Sequence, residues 1–179
     1  MVKTVAVLLA LFAAAHADDG LSDGPPTLLG VRIAGGRLPV FHEKMGTFSL
    51  GLDLDHPITS RLHGFGEYEY VWLAHDEPTM QHGTAQRVLA GLRATVTQKR
   101  EHNLRSYIDL EGGGGMTIAS DTAMGTRALQ TGFVGARAGF DFLADDSPSR
   151  VWEIDLVVRA MFVPDGTGLM GGIDMQWGD

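Results

Sequence analysis

The sequence lacks cysteine and is poor in lysine. The absence of cysteine excludes disulfide bridges, thiolate metal sites and a cysteine nucleophile. The only lysines are Lys3, Lys44 and Lys99, and 14 basic residues stand against 22 acidic ones, which gives a net charge of −8 at pH 7. Such an acidic chain is not expected to bind nucleic acid. Its 179 residues are typical of one domain, and its 44% apolar content excludes a disordered chain.

Long apolar segments are also missing after the first 17 residues. Lys3 precedes the apolar run Val5–Ala15, and this segment ends in Ala15-His16-Ala17, which fits an A-x-A cleavage site. Because the run is too short to cross a bilayer as a helix, we predict a secretory signal peptide at residues 1–17 rather than an N-terminal membrane anchor. We predict a flexible acidic tail at residues 18–27 and one domain at residues 28–179.

The remaining chain alternates apolar and polar residues with period two, which indicates β-strands. Turn-rich joints such as Asp55-His56-Pro57 and Pro164-Asp165-Gly166 separate the segments. Most segments reach about ten residues, the length that a tilted strand needs to cross a bilayer. The eight predicted strands are Leu28–Arg37, Gly46–Asp55, Leu62–His75, Gln86–Gln98, Leu104–Ala119, Arg127–Leu143, Arg150–Val163 and Leu169–Trp177.

Alternation alone does not decide which strand face points outward. In the second segment Phe48, Leu50 and Leu52 share one face, whereas Ser49 and Asp53 share the other. A soluble lipocalin-like barrel would bury the apolar face, and an outer-membrane barrel would expose it to lipid.

The aromatic residues of the apolar face favour the membrane alternative. If the strands alternate in direction, these rings collect near the two ends of the barrel, where aromatic side chains prefer membrane–water interfaces. The predicted interface aromatics are Phe48, Tyr70, Trp72 and Phe162 at one end, and Phe140, Phe142, Trp152 and Trp177 at the other.

The polar face carries arginine but no lysine, which fits an enclosed interior better than a solvated surface. An eight-stranded barrel is just wide enough for side chains to fill it. We therefore predict an all-β, eight-stranded antiparallel up-and-down transmembrane β-barrel with a charge network in its lumen. The predicted network is Arg32, Asp53, Glu67, Glu69, Arg87, Arg93, Arg105, Asp109, Glu111, Arg137, Asp141, Glu153, Asp155, Arg159 and Asp174.

A leader, eight amphipathic strands and a charged lumen together resemble the small outer-membrane barrels of the outer-membrane protein A and opacity-protein groups. The resemblance implies a monomer in the outer membrane of a Gram-negative bacterium, in contact with outer-membrane lipid or lipopolysaccharide and inserted by the barrel-assembly machinery. Such barrels commonly end on an aromatic residue, whereas here Trp177 precedes Gly178 and Asp179.

A second resemblance is to the lipid A 3-O-deacylase family. It rests on the stretches at residues 88–93 and 105–115, which are similar in style to that family's central strands. The segment Val158–Phe162 lies where that family has its His-x-Ser-Asn motif, but it contains neither histidine nor serine. A serine nucleophile needs an adjacent base, so the resemblance implies a non-catalytic relative.

Other motifs point to no cofactor and no metal. The run Gly112–Gly115 has no following Lys-Ser/Thr, and Gly166-x-Gly168-x-x-Gly171 lies in a hairpin turn rather than in a βαβ unit. We interpret the glycine run as a strand that bends tightly or leaves room for arginines.

The histidines lack ligand spacing and are interpreted as surface residues. The alternatives are a weak loop metal site at His42, His75 and His82, and a hydrolytic pair of His102 and Ser106.

Three functions stay open at the level of sequence. The first is a non-enzymatic membrane barrel with an envelope or interaction role, which the short predicted loops Gly36–Met45, Asp76–Ala85, Ser120–Thr126 and Asp165–Gly168 limit to small contact surfaces. The second is a lipid A deacylase-like hydrolase, for which no catalytic residue can be assigned. The third is a soluble periplasmic barrel that binds an apolar ligand. A wide porin is excluded because eight strands leave no open channel.

Overall fold

The computed structural model describes residues 27–74, 82–122, 124–144 and 147–178. The predicted signal peptide, and all of the predicted tail except Thr27, lie outside these residues. No helix that could cross a membrane occurs in the described part of the chain.

Eight antiparallel strands form one closed barrel in which each strand pairs with its neighbours in sequence and β8 pairs with β1. The prediction of an eight-stranded up-and-down barrel is therefore confirmed. The strands are β1 Leu28–Val40, β2 Glu43–Thr59, β3 Leu62–Ala74, β4 His82–Glu101, β5 Leu104–Asp121, β6 Gly125–Ala144, β7 Ser147–Val163 and β8 Gly166–Gly178.

Most strands are longer than the sequence pattern indicated, and several connections are correspondingly shorter. The predicted loop Gly36–Met45 is wrong, because β1 and β2 continue to a two-residue turn at Phe41 and His42. Both turn residues have positive φ, 57° and 67°, which is the backbone of a tight hairpin turn. Hydrogen bonds between the backbones of paired strands do not depend on side-chain polarity. The strands therefore stay paired beyond the residues that alternate between apolar and polar.

The register of the strands sets a steep tilt. We start at Arg37 on β1 and move to the paired residue on each neighbouring strand in turn. After one full turn around the barrel this path returns to β1 about ten residues before Arg37. The path passes through Leu169, Ala160, Val134, Gly112, Leu92, Gly64 and His56. This stagger closes the sheet without a free edge, so backbone groups along the barrel wall are paired, as a lipid environment demands.

The apolar face points outward. Leu156 is 64% exposed and Leu52 is 52% exposed, whereas their neighbours Asp155 and Asp53 are buried. The same alternation holds along the other strands, and it places a continuous apolar surface around the barrel. The soluble lipocalin-like alternative requires the opposite arrangement and does not fit this structure.

The exterior aromatic side chains lie toward the two ends of the barrel. We name these ends by their turns: the upper end holds the β1–β2, β3–β4, β5–β6 and β7–β8 connections, and the lower end holds the other three and residue 178. Phe48 and Trp72 are in contact near the upper end, with ring centroids 5.5 Å apart. Trp152 and Trp177 pair near the lower end at 6.4 Å.

The spacing of these two belts matches a bilayer. Trp152 and Phe162 lie on β7 near opposite ends, ten positions apart in sequence, and this separation corresponds to about 33 Å along the strand. At a tilt of about 40°, this is about 25 Å along the barrel axis, the height of the apolar band of an outer-membrane barrel.

Candidate functional site: the barrel interior

The interior contains buried charge in its lower and middle parts. All predicted network residues are buried except Arg105, whose side chain is 34% exposed. Arg105 therefore lies at the lower mouth, where it binds Asp141 and is not enclosed. Its position near the β4–β5 turn, at the second residue of β5, explains this exposure.

Arg137 and Arg32 connect the centre of the network. Arg137 donates to Asp155 at 2.7 Å and to Asp174 at 2.6 Å. Arg32 donates to the same oxygen of Asp174 at 2.6 Å and also binds Glu67. The Asp174 carboxylate on β8 therefore connects its own strand with the adjacent β1 and with β6.

Arg159 extends this centre toward the middle of the barrel. It donates to Glu67 at 2.6 Å and binds both carboxylate oxygens of Glu111. Its guanidinium also lies over the rings of Phe133 and Phe65, at 4.7 and 5.5 Å from their centroids. These cation–π contacts connect the charge network with the buried rings of Phe65 and Phe133.

Arg93 organises the lower part of the network. Its guanidinium lies 2.6 Å from Asp55 and 3.2 Å from Glu153, and its Nε lies 3.5 Å from Asp109. On β3 and β4, Arg87 binds Glu69. Each buried arginine except Arg87 thus contacts more than one carboxylate, which suits a planar donor with five N–H groups.

Several buried residues with polar groups were not part of the predicted network, among them Asp55, Tyr107 and Gln176. Asp55 was the last residue of the second predicted strand and the first of a predicted joint. In the structure β2 continues to Thr59, and the Asp55 carboxylate contacts His63 Nδ1 at 2.6 Å as well as Arg93. Tyr107 donates to Asp155 at 2.5 Å, and Gln176 binds Asp53. All three continue the period-two alternation of their strands, so following that alternation to the strand ends would have found them.

The upper interior is apolar, which the sequence analysis did not anticipate. We call the buried cluster there the apolar plug. The plug consists of Ala34, Leu38, Val40, Met45, Phe65, Val71, Leu73, Ala85, Leu89, Ala119, Leu129, Phe133, Met161, Val163 and Met170. Most of these positions lie in the strand halves nearest the upper turns, and several fall in segments that alternation had assigned to loops. A few buried polar side chains, among them Ser49, Thr117 and Thr131, lie in the same upper part of the interior.

Within the described residues, the cavity beside the central arginines is small. The cavity beside Arg32, Glu69, Arg87 and Arg159 has a volume of about 10 Å³, enough for about one water molecule. The larger depression, about 480 Å³, is an open surface groove beside Gln130, Gly132 and Phe162. Among the described residues, these two spaces provide neither a channel through the barrel nor an enclosed small-molecule pocket.

The network does not present an accessible acid–base pair. Its carboxylates are buried and held by arginines, so it has the features of a structural core. His102 is exposed at its turn, and Ser106 donates to the carbonyl of Lys99 at 3.4 Å. No cluster of three metal-ligating side chains occurs among the described residues; His75 and the side chain of His82 lie outside them.

The glycine run of β5 fits against the neighbouring strand. A Cβ atom on Gly113 would overlap the carbonyl oxygen of Ala90, and one on Gly115 would overlap that of Val88. A Cβ on Gly112 would meet its nearest atom, the Phe133 oxygen, at 3.6 Å. Close approach of the β4 backbone therefore explains Gly113 and Gly115 but not Gly112.

No protein-family model matches the sequence, and no curated protein matches it. We compare it with two of the solved structures that it resembles. Neisserial surface protein A is 10% identical, with 84% of this chain and 95% of that chain covered at a TM-score of 0.59. The outer membrane enzyme PagL is 16% identical, with 82% and 97% covered at a TM-score of 0.51. The chain has the fold of the small eight-stranded outer-membrane β-barrels.

Proposed function

We propose that the protein is a monomeric, non-conducting barrel of the Gram-negative outer membrane with a non-enzymatic role in the envelope. The observation that carries the proposal is the filled interior, in which an ionic network lies beneath the apolar plug. Such a barrel contacts its surroundings through its lipid-facing wall and its rims. The expected partners are outer-membrane lipid or lipopolysaccharide and the barrel-assembly machinery.

Two further observations support this role. β1 begins at the lower end of the barrel. A barrel that inserts from the periplasm after secretion keeps this end in the periplasm and has its upper end at the cell surface. Of the upper connections, the β1–β2 and β7–β8 turns have two residues each. Short turns leave little surface for a protein adhesin and favour contacts with the lipid itself.

The test is single-channel recording on the purified barrel in a planar bilayer. The proposal predicts no steady conductance, because the plug and the network leave no continuous water path. The control is a porin in the same bilayer. Clear, steady conductance steps from the purified barrel would refute a filled lumen.

A hydrolase acting on lipid A is the alternative function, favoured by the fold shared with the outer membrane enzyme PagL. The segment Val158–Phe162 lies where the lipid A 3-O-deacylase family has its catalytic motif, but it contains neither histidine nor serine. We therefore expect lipid A mass spectra to stay unchanged when the protein is overproduced in a Gram-negative host. Loss of an acyl chain from lipid A would favour the enzyme.

A further inference from the structure

The interior contains more buried carboxyl groups than arginines. Among the described residues, eleven aspartates and glutamates are buried, against five arginines. Arg105 at the lower mouth and His63 beside Asp55 add at most two positive charges. If every carboxyl group were ionised, the interior would keep a net negative charge. Because burial of an uncompensated carboxylate costs more free energy than its protonation, some of these groups hold a proton.

Asp53 is a buried carboxyl group without an arginine partner. In the described part of the chain no arginine forms an ion pair with it, although Arg32 binds the neighbouring Glu67 and Asp174. Its Oδ2 accepts a hydrogen bond from the side-chain nitrogen of Gln176. Its Oδ1 is buried and receives no donor from the described residues. The Asp53 carboxyl group is therefore held in place without a cation beside it.

The nearest acidic neighbour of this kind, Asp174 on β8, is within side-chain hydrogen-bonding range of Asp53. One oxygen of Asp174 receives both Arg32 and Arg137 at 2.6 Å, and Gln176 Nε2 lies 3.4 Å from the same oxygen. Two carboxyl groups form a hydrogen bond only when one of them carries a proton. Since two arginines stabilise the ionised form of Asp174, the proton belongs to Asp53.

The charges on the neighbouring strands agree with this assignment. Glu67 on β3 lies directly opposite Asp53 in the strand register, and Arg32 binds its carboxylate. Asp55, the next inward residue of β2, is bound by Arg93. A further negative charge at Asp53 would therefore lie beside carboxylates whose arginines are already engaged, and it would be repelled by them.

We propose that Asp53 is a proton-binding site of the folded barrel, where it remains a neutral carboxylic acid at neutral pH and donates a hydrogen bond to the Asp174 carboxylate. The proton supplies a donor where the unpartnered atoms of Asp53, Asp174 and Gln176 are all oxygens. A metal ion at these oxygens would be repelled by the guanidinium groups of Arg32 and Arg137. The site lies in the interior, so the proposal goes beyond the envelope role and does not depend on it.

The proton is taken up when the barrel folds. In the unfolded chain Asp53 is exposed to water, where an aspartate is ionised at neutral pH. The folded state then binds one more proton at this position than the unfolded state. Linkage predicts that this proton alone raises the unfolding equilibrium constant about tenfold for each unit of rising pH.

Urea unfolding in detergent micelles, followed from neutral to mildly alkaline pH, tests the site with the variant Asp53→Asn. The asparagine amide keeps the shape of the neutral acid and an N–H donor, but it has no proton to lose. The pH dependence of the unfolding equilibrium constant should therefore be weaker than that of the wild type by about tenfold per pH unit. The variant should be at least as stable as the wild type at neutral pH.

The matched control is Glu111→Gln, which neutralises a buried carboxylate whose two oxygens both bind Arg159. This variant should raise the unfolding equilibrium constant by more than about a hundredfold, because Arg159 loses a partner. Its pH dependence should match that of the wild type. A pH dependence of Asp53→Asn equal to that of the wild type, or an equal loss of stability in both variants, would overturn the proposal.

Infrared spectroscopy of the folded wild type gives a second readout that does not require a variant to be stable. At neutral pH the wild type should show the carbonyl stretch of a protonated carboxyl group, and Asp53→Asn should lose part of this band. Absence of the band from the wild type would overturn the proposal. So would wild-type stability that depends on sodium, compared with a bulky organic cation at equal ionic strength, since this result would assign the site to a metal ion.

Discussion

At the scale of single residues, the interior depends on arginines that are shared between carboxylates. Arg137 is 3% exposed and contacts Asp155 and Asp174, while Asp174 also receives Arg32. Removing one partner of a buried ion pair leaves a charge without compensation in a region of low polarity. These side chains therefore stabilise the barrel as a group, and the loss of one affects several strands.

Replacing Arg137 with methionine should lower the free energy of unfolding by about 3–5 kcal/mol, because the buried carboxylates of Asp155 and Asp174 each lose an arginine partner. Tryptophan fluorescence during urea unfolding in detergent measures this change. The control is Arg100→Met at the exposed β4–β5 hairpin, which should change stability by less than about 0.5 kcal/mol. Similar losses in both variants would mean that the interior charges are hydrated.

At the scale of elements, backbone constraints decide where the strands bend and turn. Gly113 and Gly115 on β5 approach the backbone of β4 so closely that a Cβ atom does not fit. Phe41 and His42 adopt positive φ values in the β1–β2 turn, a conformation that glycine or asparagine adopts more easily. The sequence showed the glycine run but not which neighbour it approaches, since that depends on register.

Gly113→Ala should destabilise the barrel by about 1–3 kcal/mol, because the added methyl group must displace the backbone of β4. Gly112→Ala is the matched control in the same run, with 3.6 Å to its nearest atom. Urea unfolding of the two variants provides the comparison. A larger loss for Gly112→Ala would contradict the register between β4 and β5.

His42→Gly should raise the free energy of unfolding by about 1 kcal/mol, because glycine adopts positive φ without steric cost. The substitution removes a contact of His42 Nδ1 with Asp165 at 3.3 Å, but this histidine side chain is 78% exposed and such contacts contribute little. Phe41→Gly should show no such gain, because Phe41 packs against the plug. The same urea titration distinguishes the two; a loss of stability in His42→Gly would show that the Asp165 contact matters more than the turn.

At the scale of the whole molecule, the orientation of the wall determines where the protein can fold. Leu156 lies near the middle of β7 on the exposed apolar face. In a bilayer, Leu156→Arg should cost about 2–4 kcal/mol, whereas Ala74→Arg at the upper end of β3 should cost about 0–1 kcal/mol. Refolding into lipid vesicles at increasing urea concentration measures both. Equal, small effects would mean that water rather than lipid covers the wall.

Sequence alone predicted the strand number from the local period-two pattern. It predicted the outward face and the closed barrel only with two further observations, the placement of the aromatic residues and the absence of lysine from the polar face. The strand ends and the apolar plug were not predicted. At Val71 and Leu73, for example, both faces of β3 are apolar, so alternation no longer marks inside and outside. Asp55 was missed for a related reason, since the following His56-Pro57 suggested a turn where pairing in fact continues.

Membrane fractionation combined with a gel of boiled and unboiled samples tests the central claim most directly. The claim is that the apolar face covers the outside of a barrel that spans the outer membrane. The account predicts a band in the outer-membrane fraction that resists detergent unfolding and changes mobility when boiled. A soluble periplasmic band without that shift would contradict it.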